Sequence, residues 1–222
     1  MSTTGLERYH HIAVEGPIGV GKSSLALRLA RHLNAELMLE QPAENPFLQR
    51  FYADMPGYAF QTQLFFLFQR MRQMQALAQP NMFATHVVSD FLFAKDAIFA
   101  RLNLSDDEHR LYQQMYASLA PQVREPDLVV WLQAPPALLL QRIRRRGIAM
   151  EQAIEAAYLE RLADAYAAHF HTYDGAPVFA VSTERFNPAE RDADFALLLE
   201  RLVAFKGRRE FFNVRVEPAL GQ

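Results

Sequence analysis

Five short apolar runs punctuate the chain: Ile12 to Val14, Leu37 to Leu39, Val87 to Val88, Leu128 to Leu132 and Val178 to Val181. None alternates strictly between apolar and polar positions, which suits strands of a parallel sheet covered on both faces. Between the runs the apolar spacing becomes helical, as in Leu25 and Leu29 after the first run. Parallel neighbours need crossover connections of this kind. The pattern therefore predicts an α/β fold, a doubly wound five-stranded parallel sheet that binds ligands at the carboxyl ends of its strands.

Helical spacing extends from Tyr58 to Leu77 and from Phe91 to Leu102, and Ser105-Asp106-Asp107-Glu108 has the form of a capping box that starts another helix. Further helices are expected after Pro135-Pro136, from about Glu151 to Phe170, and after Pro188 to about Phe205. The Tyr58–Leu77 stretch is apolar over much of its circumference, so it is either buried within the monomer or shared with a partner chain. Prolines at 42 and 46 exclude regular helix between Glu40 and Phe47. We read residues 1–205 as one domain and 206–222 as a tail. Within that tail Phe211 to Val216 either adds an edge strand or crosses to a partner.

Composition narrows the classes. A chain of 222 residues, half of them hydrophobic, supports one α/β domain with a full core. A formal net charge of −2 provides no global basic field for nucleic acid. There is no cysteine, which excludes disulfides and thiolate metal sites and fits a reducing compartment. With no signal-like pattern at Met1 to Gly5 and no apolar run of membrane-spanning length, the expectation is a cytoplasmic protein.

The chemistry centres on Gly16-Pro17-Ile18-Gly19-Val20-Gly21-Lys22-Ser23, a complete G-x-x-x-x-G-K-S loop between the first strand and a helix that continues with Ser24. Such a loop turns backbone N–H groups and a helix N-terminus toward phosphates. Lys22 is expected on the β- and γ-phosphates of ATP, and Ser23 on Mg²⁺. Three other features reach the same rim in this topology. Glu40, past the second strand, is a candidate to accept the proton of an attacking hydroxyl. Asp90, at the end of the third, either serves the metal or caps the next helix. Arg142, Arg144, Arg145 and Arg146, followed by Gly147, form either a lid over the triphosphate or a solvated basic face.

The order of Gly16 to Ser23, Glu40, Phe60-Gln61-Thr62, Phe91 to Ala100, Trp131-Leu132-Gln133-Ala134-Pro135 and Arg142-Ile143-Arg144-Arg145-Arg146-Gly147 resembles the deoxynucleoside kinase family. The likeness is to its bacterial deoxyadenosine/deoxyguanosine kinase branch, and it extends through Tyr158-Leu159-Glu160-Arg161-Leu162 to about Phe205. The resemblance implies a P-loop kinase topology, a homodimer, and transfer of phosphate from ATP, with Mg²⁺, to the 5′-hydroxyl of a deoxynucleoside. It implies Glu40 as general base, Gln61 on the nucleobase edge, and Phe47, Tyr58 and Phe91 as candidates to hold the base. Arg142 and Arg146, with Arg144 beside them, would lie on the phosphates, and Glu151 would reach the sugar.

Two departures from the family pattern stand out. Ser89-Asp90-Phe91 replaces the Glu-Arg-Ser common at the end of the third strand, and Ile148 stands where another lid arginine is usual. Both remove positive charge near the phosphates, which leaves Arg142 and Arg146 to carry it. The competing readings are a thymidylate kinase and a non-catalytic nucleotide-binding subunit. A thymidylate kinase needs an arginine for the acceptor's phosphate, whereas Glu40 suits a neutral acceptor. Intact Lys22, Ser23 and Glu40 speak for catalysis.

Overall fold

A computed structural model describes residues 5–77 and 86–214. Its centre is a parallel sheet of β1 (His11–Glu15), β2 (Glu36–Met38), β3 (Val87–Ser89), β4 (Leu128–Gln133), β5 (Val178–Ser182) and β6 (Arg209–Phe212), in the order β2-β3-β1-β4-β5-β6. β1 lies between β3 and β4, with Ile12 opposite both Val88 and Leu128. The sheet thus has six strands rather than five. β6 pairs parallel with β5, Phe179 opposite Glu210 and Val181 opposite Phe212. Only one of its neighbours is a strand, so its residues alternate between exposed and half-buried and lack the apolar run that marks a central strand. Of the tail expected at Phe211 to Val216, Arg215 and Val216 lie outside the described residues.

The central strands are mainly apolar because helices cover both faces. Ala13, Val14, Val129, Val130, Phe179 and Val181 are fully buried. The helices are α1 (Lys22–Leu33), α2 (Leu48–Ala53), α3 (Met55–Leu77), α4 (Lys95–Asn103), α5 (Asp106–Leu119), α6 (Pro136–Arg146), α7 (Ala156–Thr172) and α8 (Asp192–Ala204). Leu25 and Leu29 bury the inner face of α1, each stabilising the fold by about 1.5–3 kcal/mol. The capping box at Ser105 and Glu108 opens α5, with the Glu108 carboxylate accepting the Ser105 N–H at 3.0 Å.

α3 begins at Met55, ahead of the expected Tyr58, and α8 at Asp192; two further helix starts differ from the sequence expectation. α4 begins at Lys95, not Phe91, because the turn before it is committed elsewhere. The Asp90 N–H donates to the Met38 carbonyl, and the Leu92 N–H donates to the Glu15 carboxylate. α7 begins at Ala156 rather than Glu151, since Ala149–Ala153 forms a 3-10 turn. α3 buries Ala59, Phe66, Leu67, Met71 and Met74 within the monomer and leaves Phe68 exposed. Leu67, Met71 and Met74 meet Phe91, Phe93 and Tyr112 in a second apolar cluster beside the main core.

Candidate active site

The loop from Gly16 to Gly21 joins the buried end of β1 to the first turn of α1. Gly16 has φ +148°, and a Cβ there would stand 2.4 Å from the Leu132 carbonyl oxygen, so glycine is required. Glu15 anchors the loop from below. Its carboxylate, fully buried, accepts the Gly16 N–H at 2.7 Å, the Tyr166 hydroxyl at 2.9 Å and the Leu92 N–H at 2.8 Å. The Lys22 ammonium folds back onto the loop, donating to the Gly16 carbonyl at 2.7 Å and the Pro17 carbonyl at 3.1 Å. Burial, reinforced by the neighbouring Lys95 ammonium, pushes its pKa down to about 8. An incoming phosphate offers it stronger acceptors than two carbonyls.

Glu40 lies between β2 and the proline-containing segment, in a buried ionic cluster. Its Oε1 accepts from Arg70 Nε at 2.9 Å and from Arg70 Nη2, and its Oε2 accepts from Lys95 Nζ at 3.0 Å. Arg70 also donates to Asp96 through Nη1. Burial alone would raise the Glu40 pKa, but Arg70 and Lys95 hold it well below the usual carboxylate range. Burial likewise opposes the charge on Arg70, yet Asp96 and Glu40 hold its pKa up. Glu40 is therefore a fixed, ionised acceptor. Its partners arrive from α3 and the first turn of α4, at positions that look like ordinary helix charges in the sequence.

Asp90 ties this cluster to the loop. Its Oδ2 accepts the Ser23 hydroxyl and its Oδ1 accepts the Glu40 N–H at 2.7 Å. Burial raises its pKa against those two hydrogen bonds. It does not cap the next helix, whose N-cap residue is Ala94. The site departs from the sequence reading in another way: Lys95, five positions after Asp90, supplies positive charge beside Glu40.

Two adjoining cavities share Gly19, Lys22, Ser23 and Arg146. The donor-side cavity is lined by Val20, Gly21 and Ser24 of the loop and by Arg142 and Arg145 of α6. Arg142 is anchored there, donating to the Val20 carbonyl at 3.3 Å, Thr183 Oγ1 at 3.0 Å and the Thr183 carbonyl at 2.8 Å. Arg144 is exposed and lines neither cavity, a correction to the sequence reading. On a helix, 142, 145 and 146 share a face, and 144 lies on the opposite side. Arg145 donates to Glu190 at 2.7 Å, and Arg146 donates to Glu151.

The acceptor-side cavity holds Ile18, Glu40, Asp90, Lys95 and Glu151. Its apolar wall comes from Phe51, Phe66 and Phe99, with Tyr52 and Tyr158 nearby. Phe47, Tyr58 and Phe91, the aromatics expected to hold a base, are not among its lining residues. Phe91 is buried in the second apolar cluster, Phe47 precedes α2 as its N-cap residue, and Tyr58 stacks under Arg50. Gln61 also falls outside, being exposed on α3; Gln63, two residues on, is 2% exposed and lines the cavity. Gln63 Oε1 and the neighbouring Thr62 hydroxyl have no hydrogen-bond partner. Buried polar atoms are rarely left so, and here they line a cavity that a ligand can fill.

A parallel sheet with a phosphate loop after its first strand, a carboxylate facing that loop and an arginine-bearing helix over it defines a P-loop phosphotransferase. Residues 12–203 match the deoxynucleoside kinase family, and the chain belongs to that family. It is 33% identical over 156 residues to the deoxyguanosine kinase of Bacillus subtilis, covering 70% of this chain and 75% of that one. To the deoxyadenosine kinase of Dictyostelium discoideum it is 35% identical over 161 residues, spanning 70% of this chain and 64% of that protein. The fold matches the structure of deoxyadenosine kinase from M. mycoides with dCMP and dCDP bound, with TM-score 0.75 and 24% identity, covering 88% of this chain and all of that one. The chain is a kinase, and the family match favours the first of the three readings of the sequence.

Proposed function

We propose that this kinase transfers the γ-phosphoryl group of ATP to the 5′-hydroxyl of a purine deoxynucleoside, deoxyadenosine or deoxyguanosine, for nucleotide salvage. The observation that carries the reading is the meeting of the two cavities at Lys22 and Ser23, with Glu40 on the acceptor side only. ATP lies along Gly16 to Ser24, with Arg142, Arg145 and Arg146 around its phosphates. The nucleoside enters beneath Phe51, Phe66 and Phe99, its base edge toward Gln63 and its sugar toward Glu151. Glu40 takes the hydroxyl proton as the oxygen attacks phosphorus. An acceptor that already carried a phosphate would be repelled by the buried, ionised Glu40 carboxylate. Purine preference is supported by the relatives named for deoxyguanosine and deoxyadenosine.

Mg²⁺ keeps most of its water shell and takes one or two protein oxygens beside the phosphates. The Ser23 hydroxyl and Asp90 carboxylate, in contact at the mouth of the loop, are such a donor pair. When bound, the ion neutralises charge on the β- and γ-phosphates. Homodimerisation is supported by exposed Phe68 on α3 and exposed Leu111 on the adjacent α5. Among the described residues no helix is long and apolar enough to cross a membrane, and the absence of cysteine fits the cytoplasm. The test is ADP release with ATP, Mg²⁺ and a panel of the four deoxynucleosides and thymidine monophosphate. We expect turnover highest with deoxyadenosine or deoxyguanosine; a preference for thymidine monophosphate would overturn the proposal.

A further inference from the structure

We propose that Lys95 is a catalytic residue whose charge is held by Glu40 before the reaction and passes to the newly phosphorylated oxygen during it. The inference rests on the reading of Glu40 as proton acceptor given above. Lys95 is the first residue of α4, 5% exposed, and lines the acceptor side of the cavity. A lysine buried this deeply loses a strongly hydrated charge, so its placement calls for a partner. Among the described residues its one hydrogen-bonded partner is Glu40 Oε2, at 3.0 Å. Two of its three N–H groups remain for a ligand.

The other cation on Glu40 is placed differently. Arg70 bridges Glu40 and Asp96, so it keeps a carboxylate partner even when Glu40 is neutral. Lys95 does not. Before the reaction Glu40 and Asp96 balance Arg70 and Lys95, with the Lys22 ammonium and the Glu15 and Asp90 carboxylates as the neighbouring charges. In the transfer the acceptor O–H bond breaks and its proton passes to Glu40. The oxygen–phosphorus bond forms while the bond from the γ-phosphorus to its bridging oxygen breaks, and that electron pair leaves on ADP. The four groups then carry one positive charge more than before, and Lys95 is the cation left without a hydrogen-bonded carboxylate, with the Glu15 and Asp90 carboxylates acting on it only through space. A new phosphate ester sits beside it. Lys22 approaches from the loop and Lys95 from α4, so the transferred group is flanked by an ammonium from the donor side and one from the acceptor side.

Three measurements test this, using deoxyadenosine and its 5′-monophosphate as probes. In steady-state kinetics Lys95→Gln should lower kcat by about 10²–10³-fold, the usual cost of removing one charge-stabilising donor. The KM for deoxyadenosine should stay within a few-fold, and Lys95→Arg should recover much of the rate. In calorimetry Glu40→Gln, which mimics the protonated carboxyl, should bind the monophosphate at least about tenfold tighter than the wild type does. Deoxyadenosine affinity should change little. The gain should vanish in the Glu40→Gln/Lys95→Gln double variant. Near-normal kcat in Lys95→Gln, or a gain that persists in the double variant, would overturn the proposal. If Lys95→Gln does not fold, Lys95→Met, of similar length and apolar, carries the same tests. Failure of the wild type to phosphorylate any deoxynucleoside would overturn the functional reading instead, and the monophosphate binding comparison would still report on Lys95.

Discussion

The two sides of the site hold their charges in opposite ways. On the acceptor side the side chains of Arg70, Glu40, Asp96 and Lys95 are 3%, 14%, 0% and 6% exposed, locked to one another between α3, α4 and the end of β2. On the donor side Arg145 and Glu190 are 68% and 55% exposed, while Arg146, 45% exposed and shared by both cavities, pairs with Glu151, which is 14% exposed. Buried pairs are costly to desolvate and costly to break, so the acceptor side is set during folding. Exposed pairs contribute about 0–1 kcal/mol, so Arg145 can exchange its carboxylate for a phosphate at little expense. The acceptor side is built to orient a hydroxyl, and the donor side to close over a charged ligand and release it.

Lys22 lies at the seam between these sides, and its removal should have the largest effect. Lys22→Ala should reduce kcat by 10³-fold or more, on the order of 4 kcal/mol of transition-state stabilisation, because no other group on the loop carries charge. Its thermal unfolding should stay close to wild type, since only two carbonyl contacts are lost. Near-normal turnover would show that the loop is not the catalytic one. The comparison itself is tested by stability. Arg70→Met leaves Glu40 and Asp96 without their shared cation and should cost about 3–5 kcal/mol in urea unfolding. Arg145→Met should cost less than about 1 kcal/mol and instead raise the KM for ATP. Equal losses in the two variants would erase the distinction.

On the nucleoside, Gln63→Ala should weaken binding by about 1–3 kcal/mol, if a base edge pairs with the amide, while exposed Gln61→Ala leaves it unchanged. The reverse ranking would restore the sequence reading of α3. The smallest effect is expected at Asp90. Asp90→Asn should shift the Mg²⁺ requirement for turnover upward several-fold with little change in melting temperature. A wild-type magnesium titration would remove Asp90 from the metal side.

The strand-loop-helix unit and the central strands were legible in the sequence to within a residue or so, because buried parallel strands must be apolar. Glu40 stood out through the family resemblance more than through its place after β2, and the structure places it at the cavity. Helix phase was the weak link. α3 is apolar over much of its circumference, so its pattern does not reveal which glutamine faces inward, and the family resemblance pointed to Gln61. The spacing of Gln63, Phe66 and Arg70 at i, i+3 and i+7 was the available signal, since Arg70 must turn inward to reach Glu40. The same arithmetic separates Arg145 from Arg144 on α6. The aromatic wall was missed because Phe51, Phe66 and Phe99 come from three helices whose meeting only the tertiary fold defines.

The carboxylate of Glu15 has a consequence for the order in which the molecule assembles. It receives hydrogen bonds from Gly16, from Leu92 seventy-seven positions downstream, and from Tyr166 a further seventy-four along. Contacts of that sequence separation form slowly, because the chain between them must first be closed into loops. During synthesis the phosphate loop emerges early, yet its anchoring carboxylate stays partly unpaired until α7 has been made and docked. The loop motif is therefore not a self-contained module. Nucleotide-binding competence matures with the second half of the chain, and a truncated chain ending before Ala156 would carry the complete motif on an unsupported base.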